Sequence, residues 1–152
     1  MTTTVRRGSP PAFVQRVNRL VVPLLRMGLP LGPNRLLAVP GRRSGELRTT
    51  PVTPFVYEGR RYVMQGYPAA AWVVNARAAG WGLLGRGRRM RRVTLTEVPV
   101  EERRPILRHA ARIAPPGLSR VFVSSGLVAS TDPESFAAAA STIAVFRVED
   151  AA

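Results

Sequence analysis

Leu36-Leu37-Ala38-Val39-Pro40-Gly41-Arg42-Arg43-Ser44-Gly45-Glu46-Leu47-Arg48-Thr49-Thr50-Pro51 sets a tight basic turn between two apolar runs. The flanking runs, over 34–39 and 47–57, read as β-strands, and Gly41 and Gly45 make the turn between them. A hairpin needs only its glycines. The two arginines, the serine and Arg48 on the returning strand add donors that converge on a small anion. A guanidinium fork matches phosphate oxygens in pairs, and glycines let backbone amides approach the same oxygens. A solvated basic turn is the competing reading, and it leaves those extra donors unexplained.

Working outward, Glu58-Gly59-Arg60 reads as a hairpin turn and 61–67 as a third strand. Pro51 and Pro54 interrupt the second strand and place it at an edge, a bulge or a break, because proline donates no ladder hydrogen bond. The alanine-rich segment 69–79 is helix-prone; Gly80, Gly82, Gly85 and Gly87 then break the pattern before a strand over 88–98. Residues 100–113 read as a helix with Glu101 and Glu102 in its first turn, ended by Pro115-Pro116-Gly117. Residues 121–125 fit a short strand and a helix equally. Thr131-Asp132-Pro133-Glu134 opens another helix, and 142–148 is a closing strand. Hairpin-paired strands with helices inserted late make an α+β fold on a small antiparallel barrel.

The 152 residues suit a single domain, 1–152, and an apolar content of 45% argues against disorder. Residues 1–30 read as an N-terminal extension whose segment 12–27 is an amphipathic helix, with Phe13, Val17, Leu20, Val21 and Leu24 on one side and Pro23 bending or ending it. Such a helix packs on the barrel or a partner subunit, or lies on an anionic membrane surface. Arg16, Arg19, Arg26 and Pro23 puncture the stretch and argue against a spanning segment, so a cytoplasmic or membrane-peripheral protein is expected.

The absence of cysteine excludes disulfides, thiolate metal sites and a cysteine nucleophile, so redox chemistry needs a borrowed cofactor. The net charge of +14, carried wholly by arginine, attracts anions at long range. Uniform arginine usage also fits codon bias in a GC-rich genome. No recognition helix or interleaved aromatics accompany the charge, so a nucleic-acid partner is not expected. His109, the single histidine, has no acidic partner at ligand spacing and reads as a packing or surface residue, with no metal site.

The stretch LLAVPGRRSGELRTTPVTPFVYEGRRYVMQGY, followed by AWVVNARAAG, resembles the deazaflavin-dependent nitroreductase family. Members of that family have a T-x-G-[RK]-[KR]-S-G-x-x-R-x-x-P-L segment, a hairpin and a P-x-W-x-x-N-L helix start; the likeness spans 36–98. It implies a split β-barrel like that of the FMN-binding, pyridoxamine-phosphate-oxidase-like proteins, and a homodimer. It also implies hydride transfer from reduced coenzyme F420 to a quinone, a nitro compound or another electron-poor small-molecule acceptor, with FMN as the alternative cofactor.

Carried over to this chain, the phosphate falls to Arg42, Arg43, Ser44 and Arg48. Pro51 shapes the strand beside the ring system, Met64, Gln65, Gly66 and Tyr67 lie against the deazaflavin, and Trp72 and Asn75 match the W-x-x-N pair. Met-Gln-Gly-Tyr is bulkier than the family's small residues, which keeps a non-catalytic carrier of a fatty-acid-like ligand in view. The acceptor-side tyrosines of the family have no counterpart in 110–152, where Ser119, Phe122, Ser124 and Ser125 stand instead. Tyr67 and Ser124 are the hydroxyls that could orient an acceptor oxygen. The run Gly85–Arg92, GRGRRMRR, reads as a solvated turn and strand face, or as a dock for the cofactor's oligoglutamate tail.

Overall fold

A computed structural model describes residues 19, 22–24 and 34–151. Apart from residues 19 and 22–24, which are helical, the expected N-terminal helix and the membrane contact drawn from it lie outside the described residues. In chain order the elements are β1 (Arg35–Pro40), β2 (Leu47–Val52), β3 (Phe55–Tyr57), β4 (Arg60–Met64) and α1 (Ala71–Ala79). They continue with β5 (Trp81–Arg86), β6 (Arg89–Glu97), α2 (Val100–Ile113), α3 (Pro116–Ser124), α4 (Pro133–Ala138) and β7 (Val145–Asp150).

The seven strands pair antiparallel in the order β2-β1-β5-β6-β7-β4-β3. β2 and β3 are therefore the two outer strands, yet only Thr53 and Pro54 separate them in sequence. Laid flat, six inter-strand spacings would put these edges about 29 Å apart. Three Cα steps reach about 11 Å at most. The sheet must curl until its edges nearly meet, and with no ladder between β2 and β3 the result is a split barrel. Prolines at 51 and 54 sit on this seam, where a missing backbone donor costs least.

Strand alternation sorts two cores. Leu37, Val39, Val52, Val63, Leu84, Val93, Leu95, Phe146 and Val148 fill the barrel, with Trp72, Val73 and Ala76 of α1 packed among them. On the outer face, Tyr62 and Val145 meet Ile106, Leu107, Phe122 and Phe136 of the helical layer. Arg103 fastens that layer: its buried guanidinium donates to the carbonyls of Val98 (2.8 Å), Ala140 (3.0 Å) and Ile143 (3.3 Å) and to Glu97 (3.2 Å). Glu97 also accepts a forked pair of bonds from Arg77 of α1.

Most expected elements are present; one is corrected, and two that the sequence left open are decided. The glycine-rich segment after α1 is not a break but β5, a strand with neighbours on both sides. Its glycines serve close approach: a Cβ at Gly82 would sit 2.8 Å from the Ala38 carbonyl oxygen, and one at Gly85 would collide with that of Arg89. The second strand ends at Val52, and Pro54 separates it from β3. Residues 116–124 form a helix because Pro116 suits a first helical turn, so Pro115-Pro116 both ends α2 and starts α3. The turn at Glu58 and Gly59 is a two-residue hairpin with both φ angles positive, 49° and 75°. Asp132 caps α4 by accepting from the Ser135 amide at 2.9 Å.

Candidate active site

The basic turn spans Gly41–Glu46 between β1 and β2. It is closed by Gly41 N–H to the Glu46 carbonyl (2.8 Å) and Gly45 N–H to the Gly41 carbonyl (2.8 Å), with Gly45 at φ 73°. Ser44 Oγ accepts from the Glu46 amide at 3.2 Å, which leaves its hydroxyl hydrogen to donate outward. Arg42 is anchored: its backbone N–H and one guanidinium nitrogen both donate to Asn75 Oδ1, at 3.2 and 3.0 Å. Asn75 is 5% exposed, so the turn is clamped to a buried point on α1. Arg43 and Arg48 project from the same turn and strand into solvent; Arg48 has Glu46 as its acidic neighbour at 4.0 Å.

One helical turn from Asn75, Trp72 opens onto a cavity of about 420 Å³ that occupies the barrel's seam. Thr50, Pro51, Val52, Thr53, Pro54 and Phe55 form its seam wall, and Met64, Gly66, Tyr67 and Trp72 its inner wall. The helical layer supplies the third side with Ala110, Ile113, Ala114, Pro115, Leu118, Val121, Phe122 and Phe136. Among the described residues no charged side chain lines it, in a chain of net charge +14. Among the described residues its polar side chains are Asn34, Thr50, Thr53 and Tyr67, and burial pushes the Tyr67 phenol above its ordinary value.

Five of the expected residues, Pro51, Met64, Gly66, Tyr67 and Trp72, thus share one cavity, while Arg42, Arg43, Ser44, Arg48 and Asn75 form the adjoining turn. Gln65 points elsewhere. Its Nε2 donates to the Tyr67 carbonyl (2.9 Å) and its Oε1 accepts from the Ala144 amide (3.0 Å), a structural tie between the end of β4 and the approach to β7. Ser124 is exposed and lies off the cavity wall, because α3 turns Leu118, Val121 and Phe122 inward instead. Sequence reasoning missed Asn34, Thr53 and most of the helical wall. The spacing of Ala110, Ile113 and Ala114 was the available signal.

Outside the cavity, the arginine run forms the tip of the β5–β6 hairpin, with Arg92 stacked 4.1 Å over Trp81 and Arg88, Arg89 and Arg91 exposed. His109 packs, its Nε2 2.9 Å from the Val56 carbonyl and its ring beside Tyr57.

Residues 12–122 match the family model described as F420H(2)-dependent quinone reductase. No curated protein matches significantly. Among solved structures, a protein of unknown function from Agrobacterium tumefaciens is similar at 13% identity and a TM-score of 0.50, over 78% of this chain and 48% of that one. A structure described as an F420-H2 dependent reductase (FDR-A) shares 20% identity at a TM-score of 0.44, covering 77% of this chain and 94% of that one. A protein related to a general stress protein, of the pyridoxinephosphate oxidase family, from Clostridium acetobutylicum, shares 8% identity at 0.45, covering 91% and 83%.

Proposed function

The chain belongs to the F420H(2)-dependent quinone reductase family, and on that footing we propose that it reduces a neutral, apolar acceptor, a quinone before a nitro compound, in the seam cavity. The residues present fit the cofactor: a planar group with a phosphate needs an anion grip beside an apolar slot, and the Gly41–Glu46 turn and the cavity provide the two side by side. Reduced coenzyme F420, when bound, supplies the hydride.

This chain's residues do the positioning. Arg42, Arg43, Ser44 and Arg48 grip the phosphate, with Asn75 holding Arg42 in place before any ligand arrives. Pro51, Met64, Gly66, Tyr67 and Trp72 flank the ring system, and the helical wall excludes water and binds the acceptor. Tyr67, kept neutral by burial, is a hydrogen-bond donor for an acceptor oxygen. As for assembly and location, the proposal is a homodimer that is cytoplasmic or membrane-peripheral.

The observation that carries this reading is the Arg42–Asn75 tie, which joins the anion grip to the helix that opens onto the cavity. Titration with oxidised coenzyme F420, followed by its fluorescence, tests the proposal, with FMN run in parallel. Saturable quenching by the deazaflavin is expected. Replacing Arg42 and Arg43 by alanine should weaken it by about 2 kcal/mol or more, roughly thirtyfold; an unchanged affinity would make the turn an ordinary hairpin.

A further inference from the structure

At the seam end of the cavity, Thr53 Oγ1 donates to Asn34 Oδ1 at 2.9 Å. In this arrangement the Asn34 amide turns its oxygen toward Thr53. Its oxygen is occupied, and its NH2 end has no acceptor among the described residues, although Asn34 lines the cavity. Both are part-buried, so the amide gains little from bulk water.

Of the cavity's polar groups, this one is special in kind. The hydroxyls of Thr50 and Tyr67 rotate, and each donates or accepts, so neither discriminates between an incoming oxygen and an incoming N–H. The NH2 end of a locked amide only donates. It rewards a carbonyl or similar oxygen and leaves an apolar isostere without compensation.

We propose that the Asn34 amide, held by Thr53, is a specificity-determining donor that seats the oxygen of a neutral carbonyl-bearing ring in the cavity. The inference rests on the reading of the cavity as the acceptor site, and it stands apart from the phosphate grip. It makes the Thr53 link at the seam part of the binding apparatus as well as part of the fold. In reduction, the seated oxygen gains electron density, and a donor already aimed at it strengthens its bond as that happens.

Asn34→Asp separates the two roles. The carboxylate keeps an oxygen to accept from Thr53 but presents no N–H at pH 8. The experiment is calorimetric titration of the full chain, without cofactor, using 1,4-naphthoquinone and, as an oxygen-free ring of the same shape, naphthalene. The wild type should bind the quinone more tightly than the hydrocarbon. In Asn34→Asp the quinone should weaken by about tenfold or more, and naphthalene by clearly less. Thr53→Val, which frees the amide to rotate, should lose part of the same preference.

Equal loss for both rings would make Asn34 a structural pin and overturn the inference, as would no loss for either. A wild type that binds neither ring, yet still quenches the deazaflavin, removes the acceptor-site reading and the inference with it while leaving the grip intact.

Discussion

The two long sides of the cavity are built on different rules. The barrel side draws on Thr50–Phe55, Met64, Gly66, Tyr67 and Trp72, all within the stretch that carries the turn and the W-x-x-N pair, and backbone pairing holds its strands. The helical side comes from 110–136, beyond that stretch, and consists of apolar side chains, from Ala110 to Phe136, on and between α2, α3 and α4. On the proposed reading the first side answers to the cofactor's shape, while the other can change side chains without disturbing a ladder. A reductase of this design keeps its hydride donor and alters its acceptor by editing the helices.

The strongest way to break that division is at Arg103, which fastens the helical side to the barrel. Arg103→Ala leaves three backbone carbonyls without their donor and removes a charge partner of Glu97. Urea unfolding should show a loss of about 3 kcal/mol or more; a loss below about 1 kcal/mol would mean that apolar packing alone holds the layer.

A gentler probe fills the helical side. Ala114→Phe, at the end of α2, projects into the cavity and should raise the acceptor's KM about tenfold while the dissociation constant of the deazaflavin stays as it is. If both constants moved together, the two sides would not be separable.

The smallest effect is in acid. Hydrogen bonding from Arg77, aided by the charges of Arg77 and Arg103, holds the Glu97 carboxyl below its ordinary value of 4.5. A depressed carboxylate stabilises the fold above its unfolded pKa, and that contribution is lost as pH falls through the folded value. Glu97 is partly exposed, so screening keeps the term below about 1 kcal/mol. Wild type and Glu97→Gln should therefore differ in melting temperature near neutral pH and converge as pH falls from 4.5 through the lowered folded value. A gap that persisted unchanged into acid would show that packing, not charge, is what Glu97 supplies.

How far the residues announced this arrangement follows from the same contrast. The hairpins were legible because turn chemistry is local: Gly41 and Gly45, then Glu58-Gly59, mark their own bends. α2 was legible from its acidic first turn and apolar spacing, and α4 from Asp132 followed by Pro133. β5 was not, since Gly82 and Gly85 look like breakers until the Ala38 and Arg89 carbonyls are seen against them. On the site, the barrel residues lie close together in sequence and could be named. Asn34 and Thr53 meet one step beyond the Arg35–Val52 pair of the first hairpin, Phe136 joins them only through the folding back of the helices, and Gln65, though well placed in sequence, spends its amide on Ala144.

The seam has one more consequence. An open barrel offers two unpaired strand rims, and such rims recruit strands from other molecules. Here each rim is short, and proline lies on β2 and in the link to β3, so the groove stays open to small flat molecules while resisting capture by a neighbouring polypeptide. Restoring an amide hydrogen at position 51 would make that groove stickier toward the protein's own kind, trading a substrate port for a seed of self-association.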